Sequence, residues 1–223
     1  MVYKHGGNFA VGSETRISMA SDTLRSAHNS PTKSSAKLDW SSLIDVIEDS
    51  FVGNPDKPLE LRESLKKALT EYDGELSELA RFAMFDSGKN YTRNLIATDN
   101  EKYALMLLCW NKGKYSPIHD HPCDGCWVKV IQGEVNEVQY VKDGNVLNQS
   151  SDIVANRESG VMFMHDSLGF HKVGNPSTEI DAITLHLYSP PFEKCRLWFD
   201  PNDANRSSVA VSCYYSEYGT KNQ

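Results

Sequence analysis

The sequence predicts a mainly β fold, a sandwich or barrel, preceded by about three amphipathic helices. Two observations support this. Apolar residues recur at helical spacing only between about Lys37 and Phe85. From Asn90 onward they fall into short runs rich in Val, Ile and Tyr, separated by polar turns. No internal repeat modifies the picture.

Residues 1–35 are rich in Ser, Thr, Asn and Gly and lack periodicity, so a disordered arm is expected there. Ser30-Pro31 is a candidate phosphosite. Glu14 and Asp22 count against a transit peptide, and His5 and His28 have no claim to a site. Residues 36–223 are expected to form one domain. Ser42-x-x-Asp45 resembles a capping box, and Leu43, Ile44, Ile47 and Phe51 make a helical stripe that stops at Gly53. Pro58 opens a second helix with the stripe Leu61, Leu65, Ala68 and Leu69, closing near Gly74. A third, short helix is expected from Glu75 to Phe85. All three read as packing against a sheet. The expected strands are Tyr103 to Trp110, Cys126 to Val141 with a break at Gly133, Gly160 to His165, Ile183 to Tyr188, and Val209 to Tyr215. Asp143-Gly144 is a turn signal.

A chain of 223 residues can bury a sizeable core. Its net charge of −7 argues against a nucleic-acid partner, which needs clustered Lys and Arg. Five cysteines, an odd number, and no secretory segment predict a reduced, cytoplasmic protein, in which the sequons at Asn148 and Asn205 are inert. Apolar runs are too short for a membrane span. Without a heptad pattern, a monomer is the default.

The chemistry concentrates in Ser116-Pro-Ile-His119-Asp-His121-Pro-Cys123-Asp-Gly-Cys126. In a strand, His119 and His121 share a face, roughly 6–7 Å apart, and can reach one metal ion. His171 is the best third ligand; His165, six residues earlier, could be mistaken for it. Three neutral imidazoles leave a divalent ion its full charge and open positions. This donor set suits non-haem iron, and it equally suits a zinc hydrolase. Cys123-x-x-Cys126 has redox or zinc spacing, but Cys123 sits in a turn and Cys126 enters a strand. Thr184, His186 and Tyr188 alternate along one strand, in the right order for a relay of hydroxyl, imidazole and phenol. His186 alone would read as a satisfied core histidine. Arg93 could be a solvated surface group, but its fork matches a carboxylate.

The pattern Gly113-x5-His119-x-His121-x4-Cys126-x6-Gly133, followed by His171-x3-Asn175, resembles the two motifs of the cupin superfamily. Cys126 stands where most cupins carry Glu. With Tyr91-Thr-Arg93-Asn upstream and Leu185-His-Leu-Tyr188-Ser-Pro-Pro-Phe192 downstream, the chain resembles the mammalian-type cysteine dioxygenases from about Leu38 to Tyr218. The resemblance implies a small double-sheet jelly roll. It also implies iron(II) on His119, His121 and His171, and L-cysteine and dioxygen as substrates. It gives Arg93 the substrate carboxylate, with Tyr91 in support, and a Cys126–Tyr188 thioether beside the metal. Trp110, Cys109 and Cys195 are left as packing residues. The family usually has Ser at the position of Thr184, so one methyl group is added to the relay.

Other readings stay open on the residues alone. Cysteamine lacks the carboxylate that Arg93 would hold, and enzymes for 3-mercaptopropionate generally lack the cross-linking Cys. A zinc hydrolase or isomerase, or a non-enzymatic binding cupin, would leave Arg93 and the Thr184–Tyr188 strand unexplained.

Overall fold

The computed structural model describes residues 37–54 and 56–223. The expectations for the 1–35 arm, the Ser30-Pro31 phosphosite, a transit peptide, His5 and His28 lie outside the described residues.

Helix α1 spans Trp40–Gly53 and α2 spans Pro58–Glu71. The first is capped by Asp39, whose carboxylate accepts from the Ser42 backbone N–H at 2.8 Å. The Ser42-x-x-Asp45 box is therefore not the cap; Ser42 already lies inside the helix, because Asp39 offers a cap one turn earlier. Pro58 sits in the first turn of α2, where its missing N–H costs nothing. Helix α3, Leu76–Leu79, runs into a single 3-10 turn at Ala80–Phe82, shorter than the expected Glu75-to-Phe85 helix.

The strands are β1 Tyr91–Thr98, β2 Ala104–Trp110, β3 Ile118–His119, β4 Gly125–Gln132, β5 Glu134–Asp143, β6 Val146–Asn156, β7 Val161–Met164, β8 Phe170–Gly174, β9 Ala182–Ser189, β10 Lys194–Trp198, β11 Ser208–Val211, β12 Ser216–Glu217 and β13 Thr220–Lys221. They form two sheets. The seven-stranded sheet runs β13-β12-β1-β2-β9-β4-β7, and the six-stranded sheet runs β11-β10-β3-β8-β5-β6. Among the strands of the described residues, only β1 and β12 pair in parallel. This is a double-sheet jelly roll of the cupin type with helices before it, and the sheets keep free edges rather than closing into a barrel. β11 stops at Val211, so the expected strand to Tyr215 is cut short.

The seven-stranded sheet is buried on both faces along its central strands β2, β9 and β4. Its outer side presents Leu105, Leu107, Trp127, Ile183, Leu185 and Leu187 to the helical residues Leu43, Ile47, Leu65 and Leu69. Lys129, also on that side, donates to the Leu69 carbonyl at 2.9 Å and to that of Tyr72, closing the end of α2 onto β4. The inner side presents Met106, Leu108, Trp110, Cys126, Val128 and Tyr188 to the space between the sheets. Alternation along each strand divides the two sets.

Two glycines set the geometry of the site. Gly133 turns β4 into β5 at φ 72°, as the expected break requires. Gly169 (φ 113°) precedes His171, and a Cβ there would collide with the Tyr140 carbonyl, so glycine lets β8 lie against β5.

Candidate metal centre and substrate cavity

The six-stranded sheet brings the three predicted histidines together. His119 ends β3 and pairs with His171 of β8. His121 lies beyond β3, in the turn before β4, so the expectation that both sit on one strand fails. The turn still aims the ring inward, because the His121 backbone N–H donates to Asp166 at 2.5 Å. Between them Asp120 is buried, accepting from the Arg196 backbone N–H (2.7 Å) and side-chain Nε–H (2.6 Å). Ring centroids are 4.9 Å apart for His119–His121, 4.7 Å for His119–His171 and 4.5 Å for His121–His171. Their donor nitrogens lie within 4.8 Å of one another.

The surroundings of these rings fit a divalent metal. His119 Nδ1 is 3.1 Å from the Pro117 carbonyl and His171 Nδ1 is 2.6 Å from the Glu137 carboxylate. Each such partner claims the Nδ1 proton and leaves Nε2 with a free lone pair. Burial, then the neighbouring His171, lowers the pKa of His119 and of His121, which disfavours protonated, non-ligating rings. No carboxylate is among the three clustered side chains. Glu137 nevertheless places one beside them, itself held by Gln139 at 3.1 Å, so the site is less positive than three imidazoles imply. His165 takes no part: its Nδ1 caps the turn at Ser167.

The seven-stranded sheet supplies the other side. Thr184, His186 and Tyr188 of β9 share the inner face. Thr184 Oγ1 and His186 Nε2 are 2.8 Å apart, and Tyr188 OH is 3.3 Å from His186 Nδ1. Cys126 pairs directly with Tyr188 across β4 and β9. Its Sγ is 3.8 Å from the same His186 Nδ1. Burial raises both the Cys126 thiol and the Tyr188 phenol well above their ordinary pKa values. The Tyr188 ring stands 6.3 Å from that of His121, joining the two halves of the site. Cys123 is buried beside this group, its Sγ on the Gly125 carbonyl and its thiol pushed up to about 12 by burial.

Arg93 and Tyr91 project from the inner face of β1 into a cavity of about 400 Å³ that also touches His119. The Arg93 guanidinium carbon lies 5.6, 5.8 and 5.9 Å from the ring centres of Tyr188, Phe192 and Tyr214. Its one polar contact here is Met106 Sδ at 3.5 Å, and its buried Nε has no partner. Thr92 and Asn94, which alternate with these residues, face outward and bind the Met84 carbonyl.

Two participants are not apparent from the sequence reading. Trp110, expected only to pack, donates its indole N–H to Thr184 Oγ1 at 2.8 Å. A buried indole needs such an acceptor. Glu137 could have been suspected from the alternation Val135, Glu137, Gln139, which puts an acid on the inward side of a strand.

Facing sheets with three convergent histidines define a cupin built to hold a metal. The chain belongs to the cysteine dioxygenase type I family, whose profile matches residues 41–201. Human cysteine dioxygenase type 1 is 34% identical over 182 residues, covering 80% of this chain and 87% of the relative. The Danio rerio protein is 35% identical over 165 residues, covering 71% and 79%. A solved RmlC-like cupin from Desulfovibrio desulfuricans aligns with 49% of this chain and 90% of its own at 23% identity, with a TM-score of 0.38.

Proposed function

We propose that this protein is a cysteine dioxygenase, adding both atoms of dioxygen to the thiolate of L-cysteine to give cysteine sulfinic acid. Arg93 supports this most strongly: it is half-buried, with a buried, unpaired Nε, in a cavity shared with His119. Family membership supplies the rest. His119, His121 and His171 would hold iron(II), which supplies the Lewis acidity that favours the thiolate at neutral pH and the redox route to dioxygen.

In this reading the substrate carboxylate lies on Arg93, with the Tyr91 phenol beside it, and the thiol and amine point toward the histidines. The thiolate carries the electrons that dioxygen takes up, so no reductant or co-substrate is consumed. Trp110 can only donate, so it occupies a lone pair of Thr184 and leaves the Thr184 proton for His186 Nε2. Burial keeps His186 neutral, which puts its own proton on Nδ1, aimed at Tyr188 OH. The Tyr188 hydroxyl proton is then free to turn toward the substrate. The extra methyl of Thr184 fits without displacing this contact. Cys126 and Tyr188, register partners on β4 and β9, would be the two partners of a thioether in this reading. That bond removes one hydrogen from the thiol and one from the ring, and dioxygen accepts the two electrons. A cytoplasmic protein without a nucleic-acid partner accords with the cysteine content and the negative charge, and a monomer is kept as the default. Among the described residues no helix is long and apolar enough to cross a membrane.

Oxygen uptake by iron(II)-loaded protein tests the reading, with L-cysteine, cysteamine and 3-mercaptopropionate in parallel. Equimolar oxygen consumption and sulfinate formation with L-cysteine alone is expected. Turnover confined to cysteamine would discard the substrate and keep the metal centre.

A further inference from the structure

Four buried side-chain polar atoms among the described residues lack a hydrogen-bond partner: Arg93 Nε, His121 Nδ1, Trp127 Nε1 and Ser212 Oγ. Buried polar groups are nearly always paired, so an orphan beside a cavity marks a place where a ligand atom belongs. Arg93 and Ser212 line the same cavity, together with Tyr91, His119, Cys195 and Tyr214.

Ser212 is held firmly in place. It follows the last residue of β11, and its backbone N–H donates to the Glu193 carbonyl at 2.7 Å. Three residues on, the Tyr215 N–H donates to the Arg93 carbonyl, also at 2.7 Å. The segment Ser212–Tyr215 therefore crosses from the six-stranded sheet to the seven-stranded sheet, beside the guanidinium. Both ends are fixed, and one is fixed to Arg93 itself. Immediately afterwards, Ser216 Oγ donates to Asn94 at 2.8 Å, which locks the far end into β1.

The cavity lining contains Lys89 and Arg93 but no Asp or Glu side chain. An anion is the ligand it favours, and a hydroxyl with a free proton is a suitable second donor to a carboxylate. We infer that Ser212 is a specificity-determining residue, its Oγ–H donating to the substrate carboxylate that Arg93 clamps. Arg93 supplies the charge, and the strap supplies a donor from the opposite sheet. A thiol without a carboxylate leaves both groups unpaired in the bound state, which disfavours it. The inference rests on the proposed L-cysteine substrate.

The test is calorimetric titration of anaerobic, metal-loaded protein with L-cysteine and with cysteamine, together with the KM for oxygen uptake. Wild type, Ser212→Ala and Ser212→Thr are compared. Loss of a hydrogen bond to a charged acceptor predicts about tenfold weaker L-cysteine binding in Ser212→Ala. The kinetic loss should fall in KM rather than kcat. Cysteamine binding should not change, and Ser212→Thr, which keeps the hydroxyl, should recover most of the L-cysteine affinity. Ser212 Oγ makes no hydrogen bond within the protein, so its removal should not lower the melting temperature. Wild-type affinity in Ser212→Ala, in a protein that oxidises L-cysteine, would overturn the inference and leave the proposed reaction intact. Equal losses for both thiols would also overturn it, by showing a disturbed cavity rather than a lost carboxylate contact. Failure of the wild type to bind L-cysteine would remove the substrate reading itself.

Discussion

Strand β9 carries two kinds of residue on its two sides. Outward, Ile183, Leu185 and Leu187 pack on the helices. Inward, Thr184, His186 and Tyr188 face the histidines of the other sheet. All six are buried, so burial alone does not separate packing from chemistry. The outer face stabilises by removing apolar surface from water, about 1.5–3 kcal/mol for each large side chain. The inner face costs desolvation of a hydroxyl, an imidazole and a phenol, which the contacts from Trp110 to Tyr188 offset in part. One face holds the fold and the other uses it.

Substitutions on the two faces should therefore separate stability from metal binding and turnover. The largest effect is expected from His171→Ala. Metal affinity should fall by more than about a hundredfold and oxygen uptake per folded molecule should vanish. Elemental analysis after dialysis reads this, and an iron-replete, active variant would break the assignment of the centre. Leu187→Ala should do the reverse. Unfolding free energy should drop by about 2–5 kcal/mol in urea, with turnover per folded molecule retained. Glu137→Gln keeps shape and removes the charge behind His171. Metal affinity should weaken by about 10–100-fold, measured by competition with a chelator.

The last expected effect concerns pH. Burial holds the folded-state pKa of His121 and of His186 well below the ordinary 6.5. The folded protein thus refuses protons that the unfolded chain accepts. Its stability is complete above about pH 6.5 and falls as pH drops below that, by about 1.4 kcal/mol per pH unit for each such histidine. Urea titrations of metal-free protein between pH 7.5 and 5 should show this slope. His186→Asn should reduce it by one histidine's share, and an unchanged slope would mean His186 titrates normally in the fold.

The same division explains what the sequence discloses. The stripes of α1 and α2 are legible because one face of each helix meets the sheet. The register of Thr184, His186 and Tyr188 is legible because β9 is regular and alternates strictly. β6 is not, because it is an edge strand whose side chains are mostly exposed, so no apolar alternation marks it. The cap of α1 was misplaced because Ser42 and Asp39 both offer oxygen, and only the backbone path selects between them. His121 reaches the metal centre from a turn, through its backbone bond to Asp166, a residue 45 positions away. The role of Trp110 depends on a partner in another strand, which local periodicity cannot reveal.

If the two facing sheets form one site, both atoms of dioxygen reach one sulfur. Turnover of L-cysteine under labelled dioxygen, with the product weighed by mass spectrometry, tests it most directly. Cysteine sulfinic acid carrying label at both sulfinate oxygens is the predicted result. A product with label at one oxygen or none, or an unmodified thiol after full iron loading, would contradict it.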